Sequence, residues 1–205
     1  MKPERKLVSY LLLGSVWMSM GTICAQPSNV SGNSLAAAAK REYFGNIIYL
    51  GGRPGTTVTT FSVTIDTFNS DAEIQNLAET LKNGGQDALL KAITKAKKGS
   101  LRIGTSLARD INAAWISEGP EGERKITALS ERLIGFSEAR RGARSLDYPF
   151  TFIEIYMETD GKGEGGLIPA AKVQSRGGKN WEVENFGIYP ARLTHIRSRL
   201  RESGK

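Results

Sequence analysis

Polar and apolar residues alternate with a period of two along most of this chain, and follow a helical period in one stretch only. Phe61, Val63 and Ile65 interleave with Ser62, Thr64 and Asp66, which gives an extended segment one apolar face. Residues 56–60 lengthen it with four threonines and a valine, side chains that suit a pleated strand. Before it, residues 42–50 are rich in Tyr, Phe and Ile and run into Gly51-Gly52, which predicts a first strand. From Leu101 onward the period predicts strands near 101–105, 110–117, 124–132, 149–159, 166–175, 180–185 and 191–197. Gly119-Pro120-Glu121-Gly122, Asp160-Gly161 and Gly177-Gly178 supply hairpin turns between several of them.

The helical stretch begins at Ser70, which together with Glu73 forms the pattern of a capping box. Ile74, Leu77, Ala78 and Leu81 recur at helical spacing, and Gly84-Gly85 is read as the stop. A second helix over about 86–97 places Leu89, Leu90, Ile93 and Ala96 on one side. The expected fold is therefore α+β, a large antiparallel sheet or partly closed barrel with one helical hairpin packed on it.

The first 25 residues follow a different pattern. Lys2, Arg5 and Lys6 precede an apolar run over 7–23, and Ala25 offers a small residue for cleavage, as in an export signal. An uncleaved anchor is the competing reading. The expected organisation is a signal peptide at 1–25, a flexible leader at 26–41, a single α+β domain at 42–197 and a basic tail at 198–205. Cys24 is the only cysteine, so a processed chain has no thiol and no disulfide. Removal of the signal takes Lys+Arg from 28 to 25 and Asp+Glu from 21 to 20, which turns a net charge of +7 into +5. That surplus suits anionic envelope components or a small ligand, in the periplasm or outside the cell. Nucleic acid is not the expected client, and no membrane span is expected after signal cleavage.

Candidate chemistry is sparse. The run Asp160-Gly161-Lys162-Gly163-Glu164-Gly165-Gly166 has neither the following helix of a phosphate loop nor the carboxylates of a calcium loop, and is read as a mobile hairpin tip. Ser137 within Gly135–Ala139, followed by Asp147 or Asp160 and then His195, has the chain order of a hydrolase triad, but the surrounding pattern is antiparallel. Glu154 and Glu158 stand about 13 Å apart if both lie in one strand, too far for a glycosidase pair. Arg140, Arg141 and Arg144 cluster near Tyr148 and Phe150 and are candidates for anion contact. A single histidine and no thiol give no basis for a metal site, and no cofactor is expected.

Four phrases, Gly84-Gly85-Gln86-Asp87-Ala88-Leu89, Arg144-Ser145-Leu146-Asp147-Tyr148-Pro149-Phe150, Asp160-Gly161-Lys162-Gly163-Glu164-Gly165 and Pro190-Ala191-Arg192-Leu193, together resemble a family of exported bacterial hypothetical proteins. The resemblance covers most of residues 42–197. It implies export and a single domain, and it implies no activity, ligand or catalytic residue. The expected function is that of an exported domain without catalysis, envelope-associated or ligand-binding. The alternatives are a secreted hydrolase whose site is scattered in sequence, and a carrier of a small apolar ligand.

Overall fold

The computed structural model describes residues 40–49, 57–132 and 147–201, all within one compact unit. Strands β1 (Arg41–Tyr49) and β2 (Thr57–Ile65) are followed by one helix, α1 (Asp71–Ile93). Then come β3 (Gly99–Ile103), β4 (Arg109–Ile111), β5 (Ala113–Glu118), β6 (Arg124–Glu131), β7 (Phe150–Met157), β8 (Lys162–Gly177), β9 (Asn180–Phe186) and β10 (Ala191–Leu200). Every pairing is antiparallel, in the order β4-β3-β2-β1-β10-β8-β7-β6-β5, with β9 on the far part of β8.

The two ends of that order, β4 and β5, are neighbours in the chain with Asn112 alone between them. One extended run thus serves both margins: its first part pairs with β3 and its second with β6. The sheet curls on itself without closing as a barrel, because β4 and β5 do not pair with each other. Asn112 holds the seam. Its backbone N–H donates to Leu129 at 2.9 Å and its Nδ2 to the Ala96 carbonyl at 2.9 Å, while its Oδ1 accepts from the Glu131 N–H at 2.8 Å. Ser130 Oγ adds a 2.6 Å bond to the Asp110 carbonyl.

Curling gives the sheet an inside and an outside, and both are apolar. Ile47, Val63, Leu101, Ile126, Ile153 and Leu193 are among the side chains that fill the inside. On the outside, Ile74, Leu81, Leu89 and Ile93 of α1 pack on Trp115, Leu129, Phe152 and Trp181. The two tryptophan rings meet at 5.4 Å, and each indole N–H is bonded to a backbone carbonyl. Adjacent residues go to opposite cores, as Ala114 and Trp115 or Phe152 and Ile153 do, which follows from the alternation of a strand.

Several expectations need correction. The helical element Asp71–Ile93 is capped at Ser70 by the expected box and consists of two helical halves that meet at the non-helical Gly85 (φ 70, ψ −164), at the expected break, without a separate connecting loop. Both halves contribute to one core, Ile74 and Leu81 before the break and Leu89 and Ile93 after it. The glycine run is no mobile tip beyond Asp160-Gly161, because residues 162–166 are part of β8. A Cβ on Gly165 would meet the Glu154 carbonyl oxygen at 2.1 Å, so the glycine permits a close strand approach. The basic tail starts later than expected: β10 continues to Leu200, which pairs with Arg41. Leu50 and Gly51-Gly52 lie outside the described residues.

One bulge interrupts the β1–β10 and β8–β10 ladders. His195 adopts φ 53 there, and Gly45 opposite accommodates the displaced backbone: a Cβ at that position would meet the Thr194 oxygen at 2.6 Å. No helix among the described residues is long and apolar enough to cross a membrane.

Asn112→Ala leaves the Glu131 N–H and the Ala96 carbonyl without their partner in a site only 5% exposed. The expected loss is about 3 kcal/mol of unfolding free energy, measured by urea denaturation, since each orphaned buried group costs about 1–3 kcal/mol. A change below about 0.5 kcal/mol would show that the seam is held by packing alone.

Candidate anion-binding site

The apolar lining of the curled sheet fails at one mouth. On β1, Tyr43 and Ile47 belong to the inner core, and Arg41 stands two residues before Tyr43, hence on the same face. On β6, Ile126 and Ala128 are inner residues, and Arg124 precedes them by the same step. Two guanidinium groups therefore lie on the inward face, where the rest of the rows are apolar. They line a cavity of about 310 Å³ together with Tyr43, Met157, Glu158 and Ser198.

Both arginines are half-buried, and the inward atoms of this group have no partner. Tyr43 Oη, Arg41 Nε and Arg124 Nε are enclosed, and none has a hydrogen bond. Neither arginine has a carboxylate within ion-pair distance among the described residues. Tyr43 is only 1% exposed. Burial pushes its pKa above 10.0, against the opposing pull of Arg124 and Arg41, so at neutral pH it keeps its proton.

Charges elsewhere on the sheet are treated differently. Glu42, also buried, receives both Nε and Nη2 of Arg199 at 2.8 Å. On the outer face, Lys125 Nζ sits 2.5 Å from Glu154, whose other oxygen accepts from Tyr156 Oη at 3.2 Å. The lysine pKa is raised: burial lowers it, but the hydrogen bond and charge of Glu154 outweigh burial. Against these satisfied pairs, the mouth presents two enclosed guanidinium Nε–H groups and a phenol O–H without hydrogen bonds. Guanidinium forks and a neutral hydroxyl all donate, which is the chemistry of an anion contact.

A larger hollow, a cleft of about 720 Å³, lies between α1 and the β8–β9 hairpin. Several of its polar groups are engaged within the chain. The Gln86 amide donates to the Val173 carbonyl at 2.8 Å and accepts from its N–H at 3.1 Å, and Arg176 is paired with Glu182.

Of the residues singled out from sequence, Ser137, Arg140, Arg141 and Arg144 lie outside the described residues. Asp147 and His195 are exposed, and the histidine Nδ1 contacts only Thr194 Oγ1, at 3.3 Å. Glu154 and Glu158 do not share a strand face, since β7 ends at Met157 and Glu158 turns to the mouth. Arg41, Tyr43 and Arg124 were not anticipated. Their signal is present in the sequence: each arginine falls in register with an apolar row instead of the polar row beside it.

No protein-family model, no curated protein and no solved structure matches this chain.

Proposed function

We propose that this protein is an exported, non-catalytic binder of a small anion, held at the mouth of the curled sheet by Arg41, Arg124 and Tyr43. The observation that carries this reading is a pair of half-buried arginines whose enclosed Nε atoms have no hydrogen bond, beside a protonated phenol that has none either. Enclosed donors without a partner destabilise a fold, so their presence is best accounted for by a ligand that completes them. Export rests on the residues 1–25 pattern and on the resemblance to exported bacterial proteins. A carrier of apolar molecules is less well supported, because inner residues such as Ile47, Val63 and Leu193 are wholly buried against one another.

Phosphate, sulfate and acetate are the first probes, by calorimetry and thermal shift at low ionic strength with chloride as control. At least one of them is expected to bind and to raise the melting temperature. Arg124→Ala should weaken it by about 2 kcal/mol, roughly thirtyfold in Kd, as expected for a charge-assisted hydrogen bond. Arg124→Lys should recover part of the loss, because it keeps the charge without the planar fork. Equal binding by wild type and Arg124→Ala, or no binding beyond chloride, rejects the reading.

The phenol makes a second outcome measurable without ligand. Tyr43→Phe removes a buried hydroxyl that has no partner and should raise stability at pH 7 by about 1 kcal/mol. Because the folded pKa lies above that of the unfolded chain, the stability tied to this proton is complete below about pH 10 and is lost as pH rises through the folded value. Tyr49 and Tyr156 shift in the same direction, both chiefly through burial. Unfolding free energies between pH 8 and 11 should therefore fall less steeply in Tyr43→Phe than in wild type. Parallel curves would mean that the phenol is not held neutral by its surroundings.

A further inference from the structure

We infer that the ligand of this mouth is a small zwitterion, seated with its anionic end inward and an ammonium group against Glu158; this inference rests on the anion-binding reading above. Polarity in the cavity is layered. Arg41, Arg124 and Tyr43 form its inner part, at positions in register with the apolar core. Glu158, one residue past the end of β7, and Glu123, one residue before β6, line the same cavity from beyond the strand ends. Two cations and two carboxylates thus face one space, in which Glu158 is exposed while Arg41 and Arg124 are half-buried with their Nε atoms enclosed.

The two carboxylates are not equivalent. Glu123 is folded over its own hairpin turn: its Oε2 accepts from the Glu121 N–H at 2.8 Å, and a Cβ on Gly119 would meet its Oε1 at 2.2 Å. Glu158 is exposed and makes no side-chain hydrogen bond or ion pair among the described residues. It is the group available to a ligand.

A simple anion on the guanidiniums would lie with its outer side toward Glu158, which repels it. A ligand that also carries an ammonium turns that repulsion into attraction, and its zero net charge matches a lining whose formal charges cancel. The cavity of about 310 Å³ holds roughly ten water-sized groups, taking about 30 Å³ for each. That is the scale of an amino acid or of a phosphorylated amino alcohol, not of a polymer segment.

Matched pairs of probes test this by calorimetry at low ionic strength: glycine, β-alanine and 4-aminobutyrate against acetate, propionate and butyrate, and phosphoethanolamine against ethyl phosphate. At least one amine-bearing probe should bind wild type three- to fivefold more tightly than its partner without the amine, the size expected for a solvent-exposed ion pair. Glu158→Gln should erase the difference, by weakening the amine-bearing probe and tightening the simple anion. Simple anions that bind equally well or better, or a preference that survives Glu158→Gln, would overturn the inference while leaving Arg124-dependent anion binding standing. Binding by no member of either series would overturn both.

Discussion

Everything distinctive about this molecule depends on one joint, the single residue between β4 and β5. A sheet whose end strands were separated by a long connection could lie flat. Here the end strands are one run, so β3 and β6 are drawn to either side of the same ten residues. Asn112 turns that covalent fact into a specific geometry: its side chain supplies one donor and one acceptor where the ladder changes partner, and its backbone N–H is bonded to β6. An apolar residue there would leave the ladder's own polar groups unpaired, which is costlier in a buried seam than at a sheet edge.

The curl in turn explains why the strands are apolar on both faces. A flat sheet covered by one helix needs a single apolar face and shows clean alternation. In a curled sheet, the concave side forms its own core, and the helix-covered part of the convex side requires a second. Phe150–Met157 meets both demands, with Ile153, Ile155 and Met157 inside and Phe150 and Phe152 under the helix. Beyond the reach of α1 the outer face becomes polar, and Glu154 and Tyr156 take the place of phenylalanine. The helix footprint can thus be followed along a single strand.

Much of this was legible in the sequence, for reasons that are local. Periodicity located the strands, and the turns at Gly119–Gly122, Asp160-Gly161 and Gly177-Gly178 join β5 to β6, β7 to β8 and β8 to β9. The capping box at Ser70 is formed as its spacing predicted. What escaped reading depends on partners distant in sequence. Gly163 and Gly165 look like loop residues until β7 is placed against them. The candidate site is of the same kind. Arg41 and Arg124 are separated by a third of the chain or more, and each alone is an ordinary basic residue at a strand start.

The mouth also shows how the two cores divide the work of the molecule. Packing at the seam and under the helix is well satisfied, so it stabilises the curl whether or not a ligand is present. The inner layer at the mouth contributes the reverse: enclosed guanidinium Nε–H groups and a hydroxyl without hydrogen bonds raise the energy of the empty state. A rigid scaffold can tolerate that strain because the strands bearing Arg41 and Arg124 are each paired on both sides. Groups fixed in this way need little reordering when an anion arrives, which is the condition under which buried donors bind most effectively. The orphaned groups are therefore a cost of the empty mouth, which an anion would offset on the reading proposed above.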